Sequence, residues 1–232
     1  EGKERLMPCI CKCQKEERER QEQRMKEEEQ LLYVRRLKAT GIQERHLQDW
    51  TFASATDTPS IQMAKRYTEN WKKVKAENLG LLLWGDVGTG KSFLAACIAN
   101  ALLEKGVPVL MTNFSKILNQ MGAMYSDERY RYIASFNRFS LLIIDDLGIE
   151  RNTEYALEQV YAVVDERYKA GLPLIITTNL TISQLRNPED VAHARIYSRI
   201  LEMCTPVHVP GLDRRTAIGK SKQELVKEVL FS

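Results

Sequence analysis

Long apolar runs are missing from this chain. None approaches the roughly 20 consecutive residues that cross a bilayer, so no membrane partner is expected. The start carries no secretory signal. It opens Glu1-Gly2-Lys3 without a methionine, as a chain continuing from residues further upstream would. Neither sign of charge is in excess, and a net charge of +3 argues neither for nor against nucleic acid. Histidine is rare, and His46, His193 and His208 lie too far apart in sequence to suggest a ligand pair. Cysteine is little used. Cys97 and Cys204 stand in apolar surroundings and read as buried thiols. Cys9, Cys11 and Cys13 form a C-x-C-x-C cluster, but three thiolates fall short of a closed tetrahedral zinc site. Zn²⁺ is therefore expected only in an intact N-terminal region that brings a fourth ligand from upstream.

Glycine is also sparing, 12 in 232 residues, yet Gly85, Gly88 and Gly90 fall in a single short run. Residues 85–92 read Gly-Asp-Val-Gly-Thr-Gly-Lys-Ser and match G-x-x-x-x-G-K-[ST]. An apolar segment at 80–84 runs into this stretch and a helical pattern at about 91–105 follows, the strand–loop–helix context the motif needs. The glycines let the backbone curl until its N–H groups converge, and the helix N-terminus adds partial positive charge there. Lys91 would reach the outer phosphates of a nucleotide, and the Ser92 hydroxyl would sit on Mg²⁺.

Size allows one α/β domain plus an appendage. The 44% apolar and 28% charged content is that of a globular protein. Residues 14–30 hold a single apolar residue, Met25, and read as a charged helix with no core face. Glu16–Arg20 and Glu22–Lys26 are i,i+4 pairs in the better orientation. This helix should extend to about Lys38 and end at Gly41; it is either a solvated spacer or an arm that docks on a partner. Residues 41–58 read as irregular, anchored by Trp50 and Phe52. Thr58 and Pro59 are N-cap and N1 of a helix to about Lys75. Strands are then expected at 80–84, 108–111, 141–145, 172–178 and 206–209. Helices are expected at 91–105, 114–122, 126–138, 153–169, 181–186 and 188–200. Alternation of buried strands with helices predicts a parallel sheet covered on both faces. No internal repeat is visible. The division expected is residues 1–44 as an N-terminal cysteine-containing and charged-helix region, and 45–232 as the catalytic domain.

Leu141 to Asp146 is an apolar strand ending in two acids, about 50 residues after the phosphate loop. In that context Asp145 takes the metal and Asp146 orients the attacking water. Leu174 to Thr178 is a buried strand ending at Asn179, which could hydrogen-bond that water or the γ-phosphate. Arg195 and Arg199 share one helix face. They either solvate it or reach a neighbour's γ-phosphate as an arginine finger. Arg214 and Arg215 could close over the nucleotide in cis. Residues 121–139 interleave arginines with tyrosines and phenylalanines, which suits a single nucleic acid strand, or equally an amphipathic helix burying its rings.

Taken together, GDVGTGKS, LLIIDDLG, IITTNL, RIYSR and GLDRR resemble, in this order, the AAA+ ATPases. More narrowly they resemble bacterial replicative helicase loaders of the DnaC/DnaI type and their IstB-type relatives, over about residues 45–220. Asp146 stands where most AAA+ proteins have Glu, and its shorter reach implies slow hydrolysis. The resemblance implies a P-loop AAA+ (ASCE) α/β fold and ATP/ADP with Mg²⁺ held between protomers. Gly85, Asp86, Val87, Gly88, Thr89, Gly90, Lys91, Ser92 and Phe93 would line the nucleotide. Asp145 and Asp146 would be the Walker B acids, Asn179 sensor 1, and Arg215 sensor 2 with Arg214 a close second. It also implies a replicative helicase, single-stranded DNA and further copies of the chain as partners, in the cytoplasm. The incomplete cysteine cluster departs from the loader pattern. An IstB-type ATPase acting on duplex DNA, and a nucleotide-binding scaffold without useful hydrolysis, are the alternatives.

Overall fold

A computed structural model describes residues 12–148, 153–211 and 213, with 226, 227, 229 and 230, and side chains from residue 15 onward. Before the sheet come α1 (Lys12–Gly41), α2 (Arg45–Gln48), a short 3-10 turn (Phe52–Ser54), α3 (Pro59–Glu69) and α4 (Trp71–Ala76). Strand β1 (Gly80–Trp84) leads into α5 (Lys91–Glu104), then β2 (Val109–Asn113), α6 (Phe114–Met121), α7 (Ser126–Ser135) and a 3-10 turn (Phe136–Arg138). The remainder is β3 (Leu141–Leu147), α8 (Glu154–Lys169), β4 (Leu174–Thr178), α9 (Ile182–Arg186), α10 (Val191–Met203) and β5 (Cys204–His208). The five strands are parallel and lie in the order β2-β3-β4-β1-β5.

Period-two alternation divides each strand between two cores. Leu81, Leu83, Ile143 and Ile175 face a layer built from α5, α3 and the segment around Ile42. Leu82, Leu142, Ile144 and Ile176 face the opposite layer, where α6, α8 and α10 pack. The strands are thus buried on both faces, which is why they read as continuous apolar runs. Helix starts follow the polar residues that precede them. Thr58 Oγ1 accepts from the Ile61 N–H at 3.3 Å, Asn113 Oδ1 from Lys116 at 2.8 Å, and Asp190 Oδ1 from His193 at 2.9 Å.

Several boundaries differ from the sequence reading. The helix expected over 58–75 is broken at Asn70, whose φ and ψ of −91° and 21° are not helical and whose side-chain amide donates to the Arg66 carbonyl at 2.8 Å. The third strand runs on to Leu147 through an irregularity between Ile144 and Leu147. The last helix begins at Val191, behind its Asp190 cap, and runs to Met203; the last strand follows at once. Among the described residues that strand pairs only with β1, so Pro206 costs no ladder bond on its open edge.

The charged helix exists, but its expected ion pairs do not close. Arg20 donates through Nε to the Glu16 carbonyl at 3.3 Å, not to the carboxylate. Its exposed first half contrasts with an anchored end, where Lys38 pairs with Glu104 at 3.0 Å and Leu37 packs on the core. Gly41 is required by close approach, since a Cβ there would lie 2.3 Å from the Val109 carbonyl oxygen. Ile42, fully buried, then bridges to Met111. The segment after it is partly ordered into α2 and the 3-10 turn. Cys97 and Cys204 are buried thiols, and burial pushes Cys97 up to about 12. Cys9, Cys11 and the Cys13 side chain lie outside the described residues. No helix among those described is long and apolar enough to cross a membrane.

Candidate functional site

The C-terminal ends of β1, β4 and β3 lie side by side, because β4 is inserted between the other two. This edge is where open α/β sheets bind ligands. Register aligns the ends: Trp84 pairs with Thr178, and Leu147 also pairs with Thr178. The phosphate-loop motif leaves β1 at Gly85, and Gly90 precedes α5 in the left-handed region at a φ of 99°. A Cβ on Gly90 would meet nothing within 4 Å, so the loop bends around open space. Lys91 is buried and its Nζ donates to the Gly85 and Asp86 carbonyls at 2.9 and 2.7 Å. Thr89 steadies the loop through a 3.0 Å bond to the Asp86 carbonyl. Asp86 and Val87 are exposed at its tip.

Across β4 from this loop stand Asp145 and Asp146. The strand irregularity puts Asp146 in the left-handed region, with a φ of 59°. Asp and Asn tolerate that conformation better than most residues. Burial pushes the Asp145 carboxyl above the usual carboxylate range. The Thr177 hydroxyl pulls it back, the Asp146 charge adds to the push, and the Ser92 hydroxyl pulls back again. Thr177, fully buried on β4, donates to Asp145 Oδ1 at 2.6 Å and accepts from the Asp146 N–H at 2.9 Å. The donors here (Ser92, Asp145, Asp146) are all oxygens, a hard set that fits Mg²⁺. A divalent cation would also relieve the cost of holding two neighbouring carboxylates partly out of water.

Asn179 is exposed immediately beyond β4. Beside the loop lies a cavity of about 380 Å³, with Thr89, Gly90 and Phe93 on one side and Thr58, Pro59, Ile61, Val209 and Pro210 on the other. Its position and apolar walls suit a nucleotide base. Sequence reasoning found Thr89, Gly90 and Phe93 but missed the wall made by Thr58, Pro59, Ile61, Val209 and Pro210, as well as Thr177. The Thr58-Pro59 helix start was legible; that it folds back onto the loop was not. A Cβ on Gly88 would meet the Asp213 carboxylate, so the segment after β5 crosses the loop. Arg214 and Arg215, which follow it, lie outside the described residues.

The two candidate finger arginines stand apart from this cluster, on the outer face of α10 with Tyr161 and Tyr168 of α8. Arg199 is engaged within the chain. It pairs with Asp165 at 2.7 Å, donates to the Tyr161 hydroxyl at 2.9 Å and lies over the Tyr168 ring at 4.9 Å. Arg195 is exposed, with no salt bridge or hydrogen bond among the described residues. The arginine–aromatic stretch divides as its two readings allowed. Ile133, Phe136 and Phe139 are buried, while Tyr125 and Tyr130 are 82% and 70% exposed. Arg129 donates to the Tyr155 hydroxyl at 3.0 Å. Among the histidines, His193 pairs with Asp190, and His208 stacks on Trp84 at 4.4 Å. No cluster of three or more His, Cys, Asp or Glu side chains that could hold a metal ion occurs among the described residues.

Comparison with known proteins gives the same fold and an ATP-binding family. The family described as IstB-like ATP binding protein matches residues 12–219. The replicative helicase loader DnaI of Bacillus subtilis (strain 168) is 28% identical over 162 residues, 65% of this chain and 50% of the relative, so the chain spans about half that protein's length. A crystal structure of DnaI superposes with a TM-score of 0.61 at 24% identity, covering 76% of this chain and 96% of that one. The DnaC helicase loader structure gives a TM-score of 0.59 at 22% identity, covering 72% and 100%. At such identities the two structures establish the fold alone.

Proposed function

The chain belongs to the IstB-like ATP binding protein family, and from that premise we propose that it is a slow ATPase that loads a replicative helicase onto single-stranded DNA in the cytoplasm. One observation carries the ATP-dependent part. The phosphate loop and the Asp145–Asp146 pair converge on one sheet edge, joined through β4. Mg²⁺, when bound, would neutralise charge on the outer phosphates; Ser92 and Asp145 are the residues that would hold it. Lys91 and the loop N–H groups bind the triphosphate. Asp146 orients the attacking water and draws off its proton, and Asn179 holds that water from the end of β4. Arg195 or Arg199 stabilises the transition state in the site of a neighbouring copy, and Arg215 closes over the nucleotide in cis.

The loader reading is supported by the likeness to DnaI and by the charged arm. Residues 1–44 are the partner-binding region, where Zn²⁺ has its place in the intact protein, and 45–232 the ATPase domain. Tyr125, Tyr130 and Arg131 offer exposed rings and charge to a single strand. The test is capture of the host's replicative helicase by the full-length protein, together with fluorescence anisotropy on labelled oligonucleotides. ATP is expected to tighten single-strand binding, and the helicase is expected to co-purify. Absence of helicase binding together with ATPase stimulated by duplex DNA would replace this reading with an IstB-type transposition regulator, which the family description favours. Helicase binding with no hydrolysis in the assembled complex would leave a nucleotide-binding scaffold.

A further inference from the structure

β3 does not lie beside the strand that carries the phosphate loop; β4 separates them. Any coupling between the acid pair and the rest of the site must therefore pass through β4 or around it. Ladder pairing is irregular between Ile144 and Leu147, which deprives this stretch of regular β4 partners. Buried backbone donors left in that state cost as much as a lost hydrogen bond. Two adjacent threonines of β4 fill the gap. Thr178 Oγ1 donates to the Leu147 carbonyl at 2.8 Å and accepts from the Leu180 N–H at 3.1 Å. Thr177 Oγ1 accepts from the Asp146 N–H at 2.9 Å, which commits its own proton to Asp145 Oδ1 at 2.6 Å. Both residues are fully buried, so water cannot take over either role.

We propose that Thr177 is a positioning residue for the Asp145–Asp146 pair: its hydroxyl fixes one oxygen of the Asp145 carboxylate and pins the left-handed backbone at Asp146. The inference rests on the Mg²⁺–ATP reading above. A valine has the same shape and β preference but no hydroxyl. In Thr177→Val the Asp145 carboxylate loses its β4 donor and keeps only the Ser92 hydroxyl to orient it, and the Asp146 N–H loses its Thr177 acceptor. Groups that orient a metal ligand in this way are worth about 10–100-fold in metal affinity or activity.

The experiment is a Mg²⁺ titration of fluorescent ATP-analogue binding to the full chain, with parallel measurements in EDTA. Thr177→Val is expected to raise the Mg²⁺ midpoint by about tenfold or more while leaving affinity in EDTA within about twofold of wild type. Thr177→Ser, which keeps the hydroxyl, is expected to stay within about twofold of wild type in both conditions. Should the valine variant fold poorly, Thr177→Ala removes the same hydroxyl without placing a methyl against Asp145, and the same shift is expected. A midpoint equal to wild type in the hydroxyl-free variants overturns the proposal, as does a serine variant shifted as far as valine. If wild type itself shows no Mg²⁺-dependent nucleotide binding, the ATP reading falls first and this one with it, a pattern distinct from failure in the variants alone.

Discussion

Asp146→Asn is expected to lower steady-state ATP hydrolysis by about 10²-fold or more, within the range a positioned general base contributes, while nucleotide affinity stays within about twofold. The substitution is unusually clean at this position. Asp146 sits at a φ of 59°, and asparagine tolerates the left-handed region as well as aspartate does. Its N–H keeps the Thr177 oxygen, because that bond is made by the main chain. Only the carboxylate charge is lost. The same geometry gives a physical reason for aspartate here, since a longer, bulkier side chain has no local hydrogen bond to offset the left-handed cost of about 1–2 kcal/mol. Measured in the assembled state, hydrolysis equal to wild type would remove Asp146 from the chemistry and favour the scaffold alternative.

Arg167→Met is expected to lower the melting temperature by about 10 °C, read by circular dichroism. Arg167 is only 1% exposed. Its guanidinium donates to the carbonyls of Phe139 at 2.9 Å, Ser140 at 3.0 Å and Pro173 at 2.8 and 3.2 Å, with a longer bond to Phe136 at 3.4 Å. These carbonyls belong to the turns that lead into β3 and β4. No carboxylate forms a salt bridge with it among the described residues, and burial pulls its pKa down to about 10. The charge is solvated by peptide dipoles alone. Methionine fills a similar volume but removes the guanidinium donor from all four carbonyls; Phe136 and Pro173 keep only the backbone N–H bonds from Phe139 at 3.1 Å and Leu142 at 3.4 Å. Disrupting a buried charged network of this kind costs about 3–5 kcal/mol. A chain of this size loses roughly 2–4 °C per kcal/mol. Lysine should not rescue the loss, because a single ammonium cannot span carbonyls on two turns as the planar fork does. A melting temperature within a degree or two of wild type would show that the turns hold without it.

Arg167 also marks where the sequence stopped being legible. It lies in Asp165-Glu166-Arg167-Tyr168-Lys169, which reads as a solvated helix end. The signal was its spacing, seven residues beyond Val160 and three beyond Val164, on the apolar stripe of α8. The strands, by contrast, were legible because both faces are buried and little else explains runs such as Leu141–Ile144. The phosphate loop and the acid pair were legible because each follows such a strand. What lay hidden was tertiary. Strand order cannot be read from chain order, so nothing in Ile-Ile-Thr-Thr suggested that Thr177 would reach the acids of another strand. The far wall of the cavity beside the loop comes from the start of α3 and the residues after β5, far apart in sequence and joined only by the fold. The arginine pair was found by spacing, but its division into an engaged Arg199 and an exposed Arg195 depends on where α8 packs.

The central claim is that a Mg²⁺-bound triphosphate is held by the loop ahead of Lys91. Its most direct test is calorimetric titration of the full-length chain with ATP and magnesium, alongside Lys91→Ala. Saturable binding at one site per chain is expected for wild type, weakened at least about 100-fold in the variant, as loss of a buried charge-assisted contact of about 3 kcal/mol requires. Equal binding by both proteins, or no heat from wild type at millimolar ATP, would contradict the account.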